Sequence, residues 1–418
     1  MTFSEQLLDA IEGHDFSQSK ILLRKALEND DPEVLASLAE NLTDFGFSDL
    51  AKDVYRDLIA KFPREDIFKV YLAEILFNDG NDNDALTLLY GISESSPAYL
   101  DSLLVQADYY QTEGLLEVAK DKLLKASKIA PKEDTIKFGL AELDFLAGEF
   151  EEAKSLYEDL LTREKQIGEV NLNQRLFQTE AKLGNYEEAA EIIKKHTSEL
   201  LDIDSKYQAG VILLYANEVD DAIKQLDSVV GQSPDYVNAY PMLAQAYQLK
   251  NDYDQVLRSA QAGLAYNELD ETLYSMGAIA AAKLGELETA EDLLQKGLKV
   301  APDNSELRLQ LSNVYLSERK YQDNIDLFAK LDDEDKDAQV HWNLAQSYQF
   351  LEDDKKTKSE YLLAYPDYQT NPDFLRQMII FFNTQFDSKN IVLELLRKYL
   401  ELKPEDYEMQ DLYDDLAK

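Results

Sequence analysis

Apolar residues in this chain return every three or four positions in segments of about 14 residues, and the segments themselves recur at a fixed interval. Ala51, Ala85, Ala119 and Ala153 stand 34 residues apart, as do Pro63, Pro97 and Pro131, and Pro234 and Pro302 are two such periods apart. A fixed period of this length is the mark of a repeat array, in which each unit buries its apolar face against its neighbours. The units begin near residues 32, 66, 100, 134, 170, 203, 237, 271, 305, 338 and 372, with residues 1–31 as a degenerate first unit. Each unit reads as two amphipathic helices, each about 21 Å long at 1.5 Å per residue. A polar turn joins them, with glycine at Gly46, Gly80, Gly114, Gly148, Gly184 and Gly285. The second helix often ends near a proline, which cannot continue a helix interior.

Two small-residue positions carry the packing. The first helices have Ala39, Ala73, Ala107, Ala141, Gly210, Ala244, Ala278, Ser312 and Ala345. The second helices have Ala51, Ala85, Ala119, Ala153, Ala189, Ala222 and Ala290. Between them, Leu38, Leu72, Leu140, Leu243, Leu311 and Leu344 fill one helix face, and Tyr55, Leu89, Leu123, Tyr157, Leu294 and Phe328 fill the other. The fold class is therefore all-α, with about twelve antiparallel helix pairs. The organisation expected is 1–31 as the degenerate repeat, 32–404 as the tandem array and 405–418 as a capping helix carrying Leu412 and Leu416. The rhythm breaks in places. The unit at 170 follows a 36-residue spacing and carries Phe177 where a small residue is expected; Asn324 and Thr357 replace the small residue of the second helix. Bends are expected near 160–172 and 330–337.

Composition narrows the function. Lys and Arg total 42 against 82 Asp and Glu, a formal charge of −40. Phosphate backbones demand cationic neutralisation, so nucleic acid is disfavoured, as are anionic membrane surfaces. Neutral or basic partners are favoured. The absence of cysteine excludes disulfides and thiol chemistry. No apolar run reaches membrane-spanning length, and the opening MTFSEQLLDAIEGHDF lacks the basic and apolar regions of a signal peptide, so the expected location is cytoplasmic.

The pattern resembles the tetratricopeptide repeat. Tyr240-x2-Leu243-Ala244-x2-Tyr247 is similar to its first-helix signature, with Tyr for Trp and Ala for Gly. Ala119-x3-Leu123 with Pro131 is similar to its second half, and Gly184-Asn185-Tyr186-Glu187-Glu188-Ala189 to its inter-helix turn. By composition the chain looks like the acidic, soluble tetratricopeptide-array proteins of bacteria. The resemblance implies a right-handed α-solenoid, a superhelix whose concave groove, lined by the first helices, binds an extended segment or a helix of a partner protein. The positions that form the two-carboxylate clamp of chaperone-binding members are mainly acidic or amide here, with Lys182 and Lys283 isolated. Capture of a C-terminal carboxylate is thereby disfavoured.

Enzymatic motifs are missing. His14, His196 and His341 lie in different repeats and cannot meet at one metal, and no glycine-rich phosphate loop occurs. Asp79–Asp84 has Asp84 where a calcium loop needs glycine and Tyr90 where it needs glutamate, and Asp332–Asp335 lacks both features. No cofactor and no metal are expected. The groove set implied by the resemblance is Asn171, Gln174, Gln178, Tyr207, Asn238, Gln245, Gln248, Asn313, Trp342, Gln346 and Gln349. Carboxamides both donate and accept, which suits a peptide backbone. Farther towards the start of the chain, Glu40, Glu74, Asp108 and Glu142 recur at one position of successive units, an acidic stripe suited to a basic partner. The expected function is a non-enzymatic protein-interaction scaffold or adaptor, with a regulator of a signalling or transcription factor as the alternative. Partner identity, binding face and oligomeric state stay open. Changing Gln245 and Gln248 to Ala should weaken partner binding while thermal unfolding stays nearly unchanged; an equal loss of helicity would make these residues structural.

Overall fold

The protein is described by a computed structural model, which covers residues 1–200, 202–332, 335–384 and 389–418. The expected bend at 330–337 and the acidic run Asp332–Asp335 fall partly outside the described residues. Twenty-five α-helices occur among the described residues, and the first twenty-four form antiparallel pairs of successive helices. The chain divides into two compact units, Met1–Glu199 and Leu200–Lys418.

The first unit is a stack of six pairs, α1 (Phe3–Glu12) to α12 (Tyr186–His196). Its middle contains α3 (Pro32–Asp44), α4 (Ser48–Lys61), α5 (Ile67–Asn78), α6 (Asp82–Tyr90), α7 (Tyr99–Thr112), α8 (Leu116–Ile129), α9 (Asp134–Ala147), α10 (Phe150–Leu161) and α11 (Leu172–Leu183). The extra residues before α11 form a two-stranded antiparallel hairpin, β1 (Gln166–Ile167) and β2 (Val170–Asn171), turning at Gly168 with φ +58°. Phe177 is buried beyond it. The second unit is a stack of six pairs, α13 (Ile203–Tyr215) to α24 (Lys389–Leu402), followed by α25 (Tyr407–Ala417). α25 packs on α24, with Met409 buried and Leu412, Tyr413 and Leu416 partly buried.

Close approach of the two helices in a pair depends on small residues. Ala51, Ala85, Ala119, Ala153, Ala189, Ala222 and Ala290 have no exposed surface. At Gly210 of α13 even one added carbon would lie 2.8 Å from Cγ of Leu226 in α14 (Val219–Gln232). Where a polar residue replaces the alanine, its donor finds a partner, although the side-chain oxygen of Asn324 stays buried without one among the described residues. Asn324 of α20 (Tyr321–Phe328) is fully buried and donates to Ser347 Oγ at 2.8 Å and to the Asn343 carbonyl at 3.3 Å, both on α21 (Ala338–Phe350). Thr357 donates to the carbonyl of Asp353 at 2.9 Å.

The turn inside each pair needs one left-handed residue. Gly46, Gly80, Gly114, Gly148, Gly184 and Gly285 supply it with φ between +72° and +84°. Asn217, Asn251, Arg319 and Glu352 hold the same turn with φ between +57° and +61°, a conformation that costs a residue with a β-carbon about 1–2 kcal/mol. Five of the six first helices of the second unit begin on acceptor caps, the exception being the helix that follows Asn238. Asp202, Asp270, Asn304, Asp337 and Asn371 each accept from the backbone N–H three residues on, at 2.7 to 3.1 Å.

Lysines stitch neighbouring pairs. Just after the buried alanine, Lys52 reaches Asp79 at 2.5 Å, Lys120 reaches Asp144 at 2.7 Å, and Lys154 reaches Glu180 at 2.7 Å. In urea denaturation, Gly210→Ala should destabilise the protein by about 1–3 kcal/mol, because overpacking against Leu226 outweighs the gain in helix propensity. Glu352→Gly should instead stabilise it by about 1 kcal/mol.

Candidate partner-binding groove

On α3 the buried residues Leu35, Leu38, Ala39 and Leu42 face the core, which turns Glu33, Ser37, Glu40 and Asp44 to the opposite side at helical spacing. The same logic turns Tyr71, Glu74 and Asn78 outward on α5, and Asp108 and Thr112 on α7. These faces enclose a cavity of about 1050 Å³, joined by Tyr55 from α4, Asp82 from the start of α6 and Glu113 at the end of α7. Its lining holds seven carboxylates, Glu33, Glu40, Asp44, Glu74, Asp82, Asp108 and Glu113, and no lysine or arginine among the described residues. The carboxylates are strung along the groove. Among the described residues, no three carboxylate or imidazole side chains converge as a metal site would require.

Burial and, after it, the neighbouring acids shift the titration of the groove. The walls shield the Glu74 carboxyl from water, and Asp108 and Asp101 add repulsion, so its pKa rises above the ordinary glutamate value. Burial raises the Tyr55 hydroxyl, and Tyr71, Glu40, Glu74 and Asp44 raise it further. The Tyr71 hydroxyl rises by burial first, then through Asp101, Glu74 and Glu40. Aromatic rings divide the groove: Tyr55 and Tyr71 lie 5.7 Å apart, and Phe77 stacks on Tyr109 at 4.1 Å.

Three of the four stripe residues, Glu40, Glu74 and Asp108, line this cavity and are exposed in it. Glu142 is closed off. Arg175 Nη2 lies 2.8 Å from its carboxylate, and the Tyr157 hydroxyl donates to it at 2.5 Å. The amide set is scattered. Asn171 caps α11, accepting from the N–H groups of Asn173 and Gln174, and donates to Glu199 at 3.3 Å. Gln174 is half-buried, and Gln178 accepts from Arg175 at 3.1 Å. In the second unit, Tyr207 packs on Tyr236 at 5.1 Å, while Asn238, Gln245 and Gln248 are exposed. Asn313 accepts from Asn343 at 2.8 Å. Trp342 donates to Gln377 at 2.8 Å and makes edge contacts with Tyr368 and Phe374. Gln346 is half-buried, and Gln349 accepts from the Tyr361 hydroxyl at 2.9 Å.

Sequence reasoning missed the aromatic walls. It treated Tyr55 as packing alone and did not single out Tyr71, Phe77 and Tyr109. The available signal was aromatic residues on the outward side of α5 and α7. Elsewhere, buried His341 pairs with Glu360 at 2.6 Å, and His196 meets Glu199 at 3.1 Å. Among the described residues no helix is long and apolar enough to cross a membrane.

Comparison with known proteins gives matches to three family models. They are YpiA-like C-terminal tetratricopeptide repeats at residues 338–406, YpiA-like tetratricopeptide repeats at 111–165, and a general tetratricopeptide repeat at 275–346. The TPR repeat-containing protein YpiA of Bacillus subtilis (strain 168) is 30% identical over 411 residues, covering 98% of this chain and 97% of its own. Among solved structures, a chain of the APC/C hetero-tetramer Cut9–Hcn1 is 13% identical with a TM-score of 0.39, covering 99% of this chain and 95% of that one. The C-terminal part of a TPR repeat-containing protein from Cytophaga hutchinsonii is 14% identical with a TM-score of 0.42, covering 66% and 98%.

The raised pKa of Glu74 carries a stability consequence. An acid whose folded pKa lies above its unfolded value destabilises the fold once ionised, fully so above the folded pKa, and the penalty vanishes below the unfolded pKa. Glu74→Gln should therefore raise the melting temperature modestly at pH 7, with the gain shrinking as pH falls towards the ordinary value of 4.5. A gain that stays constant across that range would locate its cause outside the groove charge.

Proposed function

The chain belongs to the YpiA-like tetratricopeptide-repeat family, and on that premise we propose that it is a non-enzymatic interaction scaffold that holds a basic segment of a partner protein in the groove of α3, α5 and α7. Tetratricopeptide arrays are in general protein-interaction modules, and this chain carries their helix pairs throughout. The observation that supports the specific reading is the cavity itself, with its seven carboxylates and no cationic side chain in the lining among the described residues.

Acids elsewhere in the first unit are commonly paired, as Asp79 with Lys52, Asp144 with Lys120 and Glu180 with Lys154 are. Keeping seven together in a concave wall accumulates repulsion, which a basic ligand relieves. The walls lower the local dielectric and strengthen that attraction. Rings of Tyr71, Phe77 and Tyr109 offer apolar contact for the stems of long basic side chains. Such a site selects by charge and accelerates encounter, with affinity falling as salt rises.

Fluorescein-labelled twelve-residue peptides of basic, neutral and acidic composition, titrated against the full chain, provide the test. The basic peptide should bind best, and Glu40→Gln with Glu74→Gln and Asp108→Asn should weaken it about tenfold or more. A control with the same change of charge outside the groove, Glu151→Gln with Glu152→Gln and Glu187→Gln, should keep most of the affinity. Equal loss in both variants would reduce the effect to net charge and overturn the groove assignment.

A further inference from the structure

The first unit contains two copies of one arrangement, and one copy shows what the other is built to receive. In the repeat that starts at 134, Glu142 on α9 and Tyr157 on α10 occupy the ninth and twenty-fourth positions, and Arg175 occupies the sixth position of the next repeat. The three side chains meet. Arg175 Nη2 lies 2.8 Å from Glu142 Oε2, the Tyr157 hydroxyl donates to Glu142 Oε1 at 2.5 Å, and the guanidinium lies 5.9 Å from the centre of the Phe145 ring. A carboxylate held by a tyrosine hydroxyl thus binds a guanidinium next to an aromatic ring, inside one chain.

In the repeat that starts at 32, the same positions are Glu40 on α3 and Tyr55 on α4, and the sixth position of the next repeat is Tyr71 on α5. The acid and the tyrosine are kept, while the arginine is replaced by an aromatic ring. Tyr55 is only 5% exposed and its hydroxyl has no hydrogen-bond partner among the described residues, yet it is part of the cavity wall. Glu40 is exposed in that cavity and has no ion pair among the described residues. Tyr71, 38% exposed, stands 5.7 Å from Tyr55 and gives a ring face on which a planar cation can stack. The two intervening repeats lack the arrangement, with Leu89 and Leu123 at the tyrosine position.

We propose that Glu40, Tyr55 and Tyr71 form a subsite for the guanidinium of an arginine side chain on the partner protein, which takes the part that Arg175 plays internally three repeats on. The proposal rests on the groove being the partner site. It favours arginine over lysine for a physical reason. The planar guanidinium can present two N–H groups to Glu40, meet the Tyr55 hydroxyl and stack on Tyr71 at once, whereas an ammonium is a compact point charge without a face. Glu74 lies close enough to raise the pKa of both tyrosine hydroxyls and adds to the attraction.

The internal copy suggests the decisive variant. Tyr71→Arg supplies a guanidinium from the same position as Arg175 and should fill the subsite from within. Two fluorescein-labelled Ala/Ser peptides, one with two arginines and one with two lysines at the same positions, are titrated against the full chain by fluorescence anisotropy. The arginine peptide should bind about tenfold tighter than the lysine peptide. Tyr71→Arg should weaken the arginine peptide about tenfold, and Glu40→Gln should reduce it to the level of the lysine peptide. Tyr71→Phe, which keeps the ring, should change its affinity by no more than about twofold. Thermal unfolding of each variant checks folding, and Glu40→Gln, an exposed change, serves if Tyr71→Arg fails to fold. Equal affinity for both peptides, unchanged by either substitution, would overturn the arginine subsite and leave the basic-segment groove standing. Absence of binding by both peptides would overturn the groove reading and the subsite with it.

Discussion

The structure depends on how closely two helices of a pair can approach. That distance is set by a fully buried position that is alanine in most pairs, Ala51, Ala85, Ala119, Ala153 and Ala189 in the first unit and Ala222 and Ala290 in the second. Helices held this close leave no room for a second choice of rotation. Leu38 and Ala39 must face inward, so Glu40 must face outward. Repetition then sets outward residues of α3, α5 and α7 beside one another, and a groove wall arises from packing that takes place on the other side of the same helices.

The groove differs in charge from the rest of the first unit. Acids outside the groove have lysines that tie one pair to the next, such as Lys120 between Asp144 and Glu149. Where the carboxylate is buried, as Asp144 is, desolvation offsets much of the attraction, but each pair also removes repulsion from a strongly acidic chain. Among the described residues no cation lines the cavity, and burial first, then repulsion from Asp108 and Asp101, raises the pKa of Glu74. A binding surface is expected to hold such local conflict, since a fully neutralised wall would have nothing to offer a charged partner.

Departures from the repeat are also accommodated by specific contacts. Asn324 occupies an alanine position and joins a buried set of hydrogen bonds with Ser347 and Asn343, and Asn343 continues it to Ser312 and Asn313, each at 2.8 Å. The network ties α19 (Ser305–Ser317) to α21, and the polar core residue is tolerated because α21 accepts both hydrogens of its amide. The residues added before the repeat at 170 become a hairpin whose turn uses Gly168, which absorbs the change of period without disturbing Phe177 in the core.

The sequence by itself determined the all-α class, the helix pairs, the small-residue seams and the acidic stripe. These depend on spacing within a repeat, and spacing is visible in a single chain when it recurs. Only the tertiary structure decided which stripe members stay open. Glu142 has the same position as Glu40, yet it is closed by Arg175, a residue of the following repeat whose reach depends on its rotamer. The same holds for the amides: Asn171, Gln349 and Asn313 bond to neighbouring elements, whereas Gln245 and Gln248 stay exposed. Tyr55 reads as a core residue because it is one, and its second role as a wall of the cavity exists only once α3, α4 and α5 are placed together. Periodicity specifies which face a residue occupies; contact with the next repeat specifies whether its polar atoms are free.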